Sequence, residues 1–468
     1  MAALNELSAA ELSAAYAARS LSPVEVTRAT LAHIERCEPQ LCAMYAFDPE
    51  GAMVMARASQ ARWMKGAPLS AIDGVPVTIK ENIATRGVPI PMGTAAALLT
   101  PALDDAPPAA RMREAGAVFL GKTTMPDFGM LSSGLSSFHK LARNPWDLSK
   151  NPGGSSAGAG AAAAAGYGPL HIGTDIGGSV RLPAGWCGVF GLKPSLGRVP
   201  IKPPYCGRVA GPMTRTVRDA ALMMEHLARP DWRDSMSLPA QSIDWMALDI
   251  DVSKLKIGLL LDAGWGQAVD PKVRATIDAA ARAFQAAGAH VEPMQPFITR
   301  EMADGIDRFF RTRSYLDIAT LSEARRNKVL PYIRDWVAAG AHYSAAQVFH
   351  AFSQIGAIRE ASVNACQPYD YVLSPVAPMV AFPAELPGPS NDPERPFEHI
   401  AFTLTYNMSE QPAASVNAGY NDAGLPIGLQ IIGRRFDDIG VLRMAQAWEQ
   451  MRPAQRAWPV LPPALARA

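Results

Sequence analysis

The sequence predicts an α/β fold built as one large domain over 1–468, and three observations point to it. Between about 70 and 225, short apolar runs (Val75–Ile79, Val118–Leu120, Leu170–Ile172) alternate with Gly- and Ala-rich segments of helical character. That alternation is the mark of strands and helices in succession. Neither an internal repeat nor a clean linker divides the chain. With 49% apolar and 19% charged residues in 468, it has the material for a large core.

The elements follow in order. Ser8-Ala9-Ala10-Glu11 and Ser22-Pro23-Val24-Glu25 fit the capping box, in which a serine hydroxyl and a glutamate cap each other's backbone amides. They open helices predicted at 9–19 and 23–37, the second burying Val26, Leu31 and Ile34; a third covers 50–64. Asn151 to Thr174 is uncharged and long enough to span a bilayer, but it consists largely of Gly, Ala and Ser. These have little transfer energy, so the segment reads as a buried helix that permits close backbone packing. A Pro-rich segment at 200–204 precedes a helix, Val217–Leu227, and a polar loop to about 250. Lys256–Leu261 and Asp370–Pro375 read as strands and Pro271–Ala287 as a helix. Residues 299–365 read as several helices, and Pro383–Pro396 as a surface loop.

Composition excludes several classes. A net charge of +1 offers no basic field for nucleic acid. Five scattered cysteines without CxxC spacing signal neither a disulfide framework nor a zinc site, so the expected state is reduced thiols in a cytoplasm. The N-terminus lacks the basic and apolar regions of a signal peptide. Gly116–Thr123 meets the Walker A spacing, but its intervening residues are apolar and strand-like. Ser137-Phe138-His139-Lys140 matches Ser-x-x-Lys without the later Lys-Thr-Gly, and Arg181 breaks Gly-x-Ser-x-Gly around Ser179. His171, between Leu170 and Ile172, reads as a core residue.

What remains is a lysine and two serines. Lys80 ends an apolar run, while Ser155 and Ser179 each follow a glycine pair, where backbone amides approach a ligand unobstructed. The full segments are Gly74-Val75-Pro76-Val77-Thr78-Ile79-Lys80, Gly153-Gly154-Ser155-Ser156-Ala157-Gly158, and Gly173-Thr174-Asp175-Ile176-Gly177-Gly178-Ser179-Val180-Arg181. With Gly188–Pro194, Gly211–Arg215 and Gly428–Gly433, the chain resembles the amidase signature family. The likeness is dense over about 60–225, moderate over 370–450 and thin over 230–370; Ala157 stands where the family commonly has glycine.

The resemblance implies a central mixed sheet with helices on both faces, 60–225 being a catalytic core, 230–370 a variable entrance region and 370–450 returning core. It implies that Ser179 is the nucleophile, Ser155 a bridging serine on a cis peptide and Lys80 the base, without metal or cofactor. Amides of Ile176, Gly177, Gly178 and Ser179 are the expected oxyanion donors, supported by an Asp175–Arg181 ion pair. Gly129, Met130 and Ser132 are expected at the acyl pocket. Phe309, Phe310, Tyr315, Tyr332, Trp336 and Phe349 either line the entrance or pack helices together. The implied activity is hydrolysis of apolar or aryl carboxylic amides, with carbamates and esters in reach, by a monomer or homodimer acting on a small molecule away from membranes. The alternatives are the glutamine-hydrolysing A subunit of a tRNA-dependent amidotransferase and a non-catalytic scaffold with the same fold.

Overall fold

The computed structural model describes residues 3–461, so both ends of the 1–468 domain fall outside the described residues. Among these residues, eleven strands form one mixed sheet. They are β1 (Met44–Tyr45), β2 (Pro76–Lys80), β3 (Val118–Thr123), β4 (Leu170–Asp175), β5 (Phe190–Lys193), β6 (Val209–Thr214), β7 (Lys256–Leu259), β8 (His290–Pro293), β9 (Tyr371–Pro375), β10 (Ala413–Tyr420) and β11 (Pro426–Gly433). Their order is β1-β3-β2-β4-β6-β5-β10-β11-β9-β7-β8.

β2 runs parallel to both β3 and β4. Parallel neighbours need crossover connections, and helices Pro107–Glu114 and Ala157–Ala165 lie in them. The period of two along β2 then divides the sheet. Val77 and Ile79 enter the large core with Leu170, Ile172, Leu192 and Leu429, so Thr78 and Lys80 point to the opposite face. Helices Ala9–Ala17, Val217–Leu227, Pro271–Ala286 and Asp438–Met451 cover the first face. Because β2 and β4 are parallel neighbours, their ends at Lys80 and Asp175 reach the same rim, the usual place for a site in such sheets.

Both predicted capping boxes are formed, at Ser8/Glu11 and Ser22/Glu25. The first helix ends at Ala17, while the second runs on to Leu41 and stops at left-handed Cys42. Asn151–Thr174 divides into the fully buried helix Ala157–Ala165 and strand β4. The Walker-like Gly116–Thr123 is mostly β3, with Lys122 buried against the Ile83 carbonyl and Thr85. His171 is buried between the Thr78 hydroxyl and the Gly168 carbonyl and kept neutral, its pKa lowered to about 4 by burial. All five cysteines are free. No helix among the described residues is long and apolar enough to cross a membrane.

The strands β1, β5, β6 and β8 escape the sequence pattern, and β6 shows why. Its Val-Ala-Gly-Pro-Met-Thr carries two residues that normally weaken strands. Gly211 is required there, because a Cβ would sit 1.9 Å from the Leu192 carbonyl oxygen.

Candidate active site

Lys80 is fully buried, and its Nζ lies 2.8 Å from Ser155 Oγ and 3.0 Å from Ser156 Oγ. Burial disfavours the ammonium and lowers its pKa to about 7, assisted by Arg208 and opposed by Asp175 and Glu81. Lys122 and Lys193 are also buried with pKa values near 7, so depression alone does not distinguish Lys80. Its partners do: Lys193 Nζ donates to a backbone carbonyl, that of Pro194, whereas Lys80 meets two hydroxyls.

Ser155 follows a cis peptide bond, as the resemblance implies. Ser156 anchors the pair by donating to the Thr174 carbonyl at 3.2 Å, and its N–H donates to the Ser179 carbonyl at 3.1 Å. The two serine loops are therefore joined by backbone. Ser179 is half-buried and lines the cavity beside Ser155. Among the described residues no side chain or carbonyl is hydrogen-bonded to its hydroxyl.

The turn between β4 and Ser179 is held from below by Asp175. Its carboxylate accepts N–H bonds from Gly178 (2.8 Å) and Val180 (3.1 Å), and from Arg181 at Nε (3.0 Å) and Nη2 (2.9 Å). Burial pushes that carboxyl upward, but Arg181 and Asn407 hold it well below the usual range. Arg181 is itself saturated, donating to Thr403 O, Gln430 Oε1 and Asn407 Oδ1. The Asp175–Arg181 pair is thus buried, not superficial.

Ser155 and Ser179 border a cavity of about 110 Å³. Its lining includes Gly129, Met130, Leu131 and Ser132 from one loop and Ile176, Gly177 and Ser179 from another. Gly129 has φ +70°, and a Cβ there would lie 3.3 Å from Ser155 Oγ.

A family model described as amidase matches residues 25–442. The chain belongs to the amidase signature family. Its members hydrolyse carbon–nitrogen amide bonds. This amidase is 36% identical to the A subunit of the glutamyl-tRNA(Gln) amidotransferase of Myxococcus xanthus, across 96% of this chain and 97% of that one. A bacterial aryl acylamidase superposes with a TM-score of 0.88 at 31% identity, covering 96% of this chain and 97% of the other. The peptide amidase of Stenotrophomonas maltophilia gives 0.83 at 26% identity, with 97% and 98% covered.

The amidase cavity brings together Lys80's serine partner and every predicted substrate-side residue, but it divides the six aromatics. Phe310, Tyr332 and Trp336 line it. Phe309 packs on Phe310 and Phe352, Tyr315 packs within the cover, and Phe349 is 72% exposed. Pro383–Pro396 is not wholly a surface loop: Pro387 and Pro396 reach the cavity. Several lining residues escaped the sequence reading, among them Asn82, Arg208, Arg313, Phe397 and His399. His399 stacks on Trp186 and is kept neutral by burial, with its pKa lowered to about 3; among the described residues its Nε2 has no hydrogen-bond partner. No run of motif residues surrounds these positions. Only Ser156, inside the Gly-Gly-Ser-Ser run, carried a signal that could have been read.

Proposed function

We propose that this amidase hydrolyses apolar or aryl carboxylic amides through an acyl-enzyme on Ser179, with Ser155 as proton relay and Lys80 as base. The observation that carries this reading is the buried Lys80 amine, lowered in pKa to about 7 and 2.8 Å from the Oγ of Ser155, which lines the same cavity as Ser179.

A serine hydroxyl is a poor nucleophile without a base, and a lysine serves as one only when unprotonated. Neutral Lys80 accepts the Ser155 proton as Ser155 accepts that of Ser179, whose oxygen attacks the amide carbon. The oxyanion formed meets backbone amides aimed where charge develops. The Gly178 N–H already donates to Asp175; Ile176, Gly177 and Ser179 are the donors left to meet the oxyanion. On collapse the C–N bond breaks, and the amine leaves with the proton returned from Lys80 through Ser155. Water then repeats the sequence on the Ser179 ester, releasing the acid. Gly129, Met130 and Ser132 contact the acyl part. Carbamates and esters present the same carbonyl geometry.

Resemblance to amidotransferase A subunits favours a second reading, in which glutamine is the substrate and ammonia is passed on within a complex. Free glutamine carries an α-ammonium, whose burial needs an anionic partner. Among the described residues no aspartate or glutamate lines the cavity. The cavity is also roofed by the chain's own 299–365 helices, which supports a monomer or homodimer working without partner subunits. Turnover of an anilide panel, short amides and glutamine by the purified chain alone separates the readings. Glutaminase activity appearing only with partner subunits overturns the stand-alone amidase.

A further inference from the structure

The cavity that receives the amide has one strongly cationic corner. Arg208 stands immediately before β6, whose pairing sets Val209 opposite Asp175, and so places it beside the turn that leads to Ser179. Arg313 comes from helix Arg300–Ala319 on the cover. Both line the cavity. Their guanidinium carbons lie 6.0 and 4.5 Å from the same Tyr205 ring centroid, so one ring brackets two fixed positive charges.

Among the described residues no carboxylate neutralises either charge at hydrogen-bonding distance. Arg208 donates to the Pro203 carbonyl, an uncharged partner. Arg313 Nε lies 4.0 Å from Asp317, whose side chain is half exposed. The buried arginines Arg181, Arg198 and Arg311 are treated differently: each holds a carboxylate at 2.8–2.9 Å. Burial and the neighbouring Arg313 hold the Arg208 pKa down to about 10, so the pair is an unfavourable arrangement until an anion joins it. A guanidinium fork matches a carboxylate in two parallel hydrogen bonds. Phe128, Leu131, Trp336 and Phe397 supply apolar walls.

Building on the amide-hydrolase reading, we propose that the substrate is an apolar amide bearing a carboxylate, which Arg208 and Arg313 bind as a specificity-determining pair. The lack of a lining acid among the described residues means that the carboxylate comes without an adjacent ammonium, as in N-acylated aminobenzoates or N-acyl amino acids.

The test compares a 4-acylamidobenzoate with the same acyl anilide carrying a methyl group in place of the carboxylate. Wild type should show a kcat/KM at least about tenfold higher for the carboxylate, a margin that shrinks as salt rises. Arg313→Ala and Arg208→Gln should each reduce the ratio between the two substrates by about 10- to 100-fold, the range of a lost charge-assisted hydrogen bond. Arg313→Glu, at a part-exposed position that tolerates substitution, should shift preference toward an ammonium-bearing analogue. Equal rates for the matched pair, or a ratio unchanged in both arginine variants, overturn the proposal. Calorimetric binding to Ser179→Ala examines the corner without turnover. Tighter binding of the carboxylate, with no hydrolysis by wild type, upholds the corner and overturns the hydrolase reading. Equal binding of both compounds overturns the corner.

Discussion

The floor of the cavity and its cover are built by opposite means. The floor is made from short, nearly contiguous runs, Pro76–Lys80 and 153–181, in which backbone is the main building material. Asp175 ties down three amides of one turn, Ser156 bridges two loops, and Arg181 is saturated by partners from three segments. The cover is made of side chains on helices Arg300–Ala319, Pro331–Ala338 and Ala345–Cys366 and on the 383–400 segment. Its rigidity comes from aromatic packing: Phe397 meets both Phe310 and Trp336 edge-on at 5.8 and 5.4 Å. Geometry that must be accurate to a few tenths of an ångström is held by hydrogen bonds. The cover's apolar packing tolerates substitution.

If that division is right, the largest effects on turnover belong to the floor. Ser179→Ala should abolish both turnover and labelling by a fluorophosphonate, and Lys80→Met should cost at least about three orders of magnitude in kcat, as loss of a nucleophile or its base does elsewhere. Labelling of Ser179→Ala at the wild-type rate would show that another residue is the nucleophile. Lys80→Met should also raise stability. A pKa depressed from 10.5 to about 7 represents roughly 5 kcal/mol of destabilisation while the amine is charged in both folded and unfolded states. With a folded value near 7 and an unfolded value of 10.5, that penalty is full below pH 7 and fades as pH rises toward 10.5. Denaturant melts at pH 7 and pH 10 should therefore show the variant's advantage shrinking at the higher pH.

The support beneath the turn comes next. Arg181→Ala leaves Asp175 buried without its countercharge and should destabilise by about 3–5 kcal/mol, measured by chemical denaturation. A loss below about 1 kcal/mol would mean that the turn is held by Asn407 and the amides alone. Depression of the Asp175 pKa adds stability above the unfolded carboxyl pKa, and this contribution falls away in acid as the folded group protonates.

The pH profile sharpens the mechanism. Free-enzyme kcat/KM should fall about tenfold per pH unit below pH 7 and reach a plateau above it, because Lys80 must be neutral. An optimum in the acid range of carboxylate titration would point to a carboxylate base.

The smallest effects should come from the cover. Trp336→Ala should weaken kcat/KM for an aryl amide by about 10- to 100-fold, in line with removing one apolar wall from a pocket. Fluorophosphonate labelling of Ser179 should change far less. Equal losses in both assays would erase the distinction between floor and cover.

Legibility in the sequence follows the same line. Lys80, Ser155, Ser179 and the Asp175–Arg181 support are readable because their surroundings are constrained as backbone, which leaves glycine pairs, strand ends and charge-free runs in plain view. In the cover, Phe309 and Phe310 are adjacent, yet only Phe310 reaches the cavity. Neighbouring helical residues point about 100° apart, and which direction is inward depends on how the helix docks. The unread strands β1, β5, β6 and β8 are hidden for a related reason, since residues such as Gly211 are chosen for the approach of a neighbouring strand.

By itself, then, the sequence determined the α/β class and the capped helices and singled out Lys80, Ser155 and Ser179 as candidates, since local backbone requirements dictate those residues. Tertiary structure alone decided which hydroxyls Lys80 meets, which aromatics face the cavity, and that Arg208 and Arg313 share one ring. Those positions are far apart in the chain, and only packing sets the distances between them.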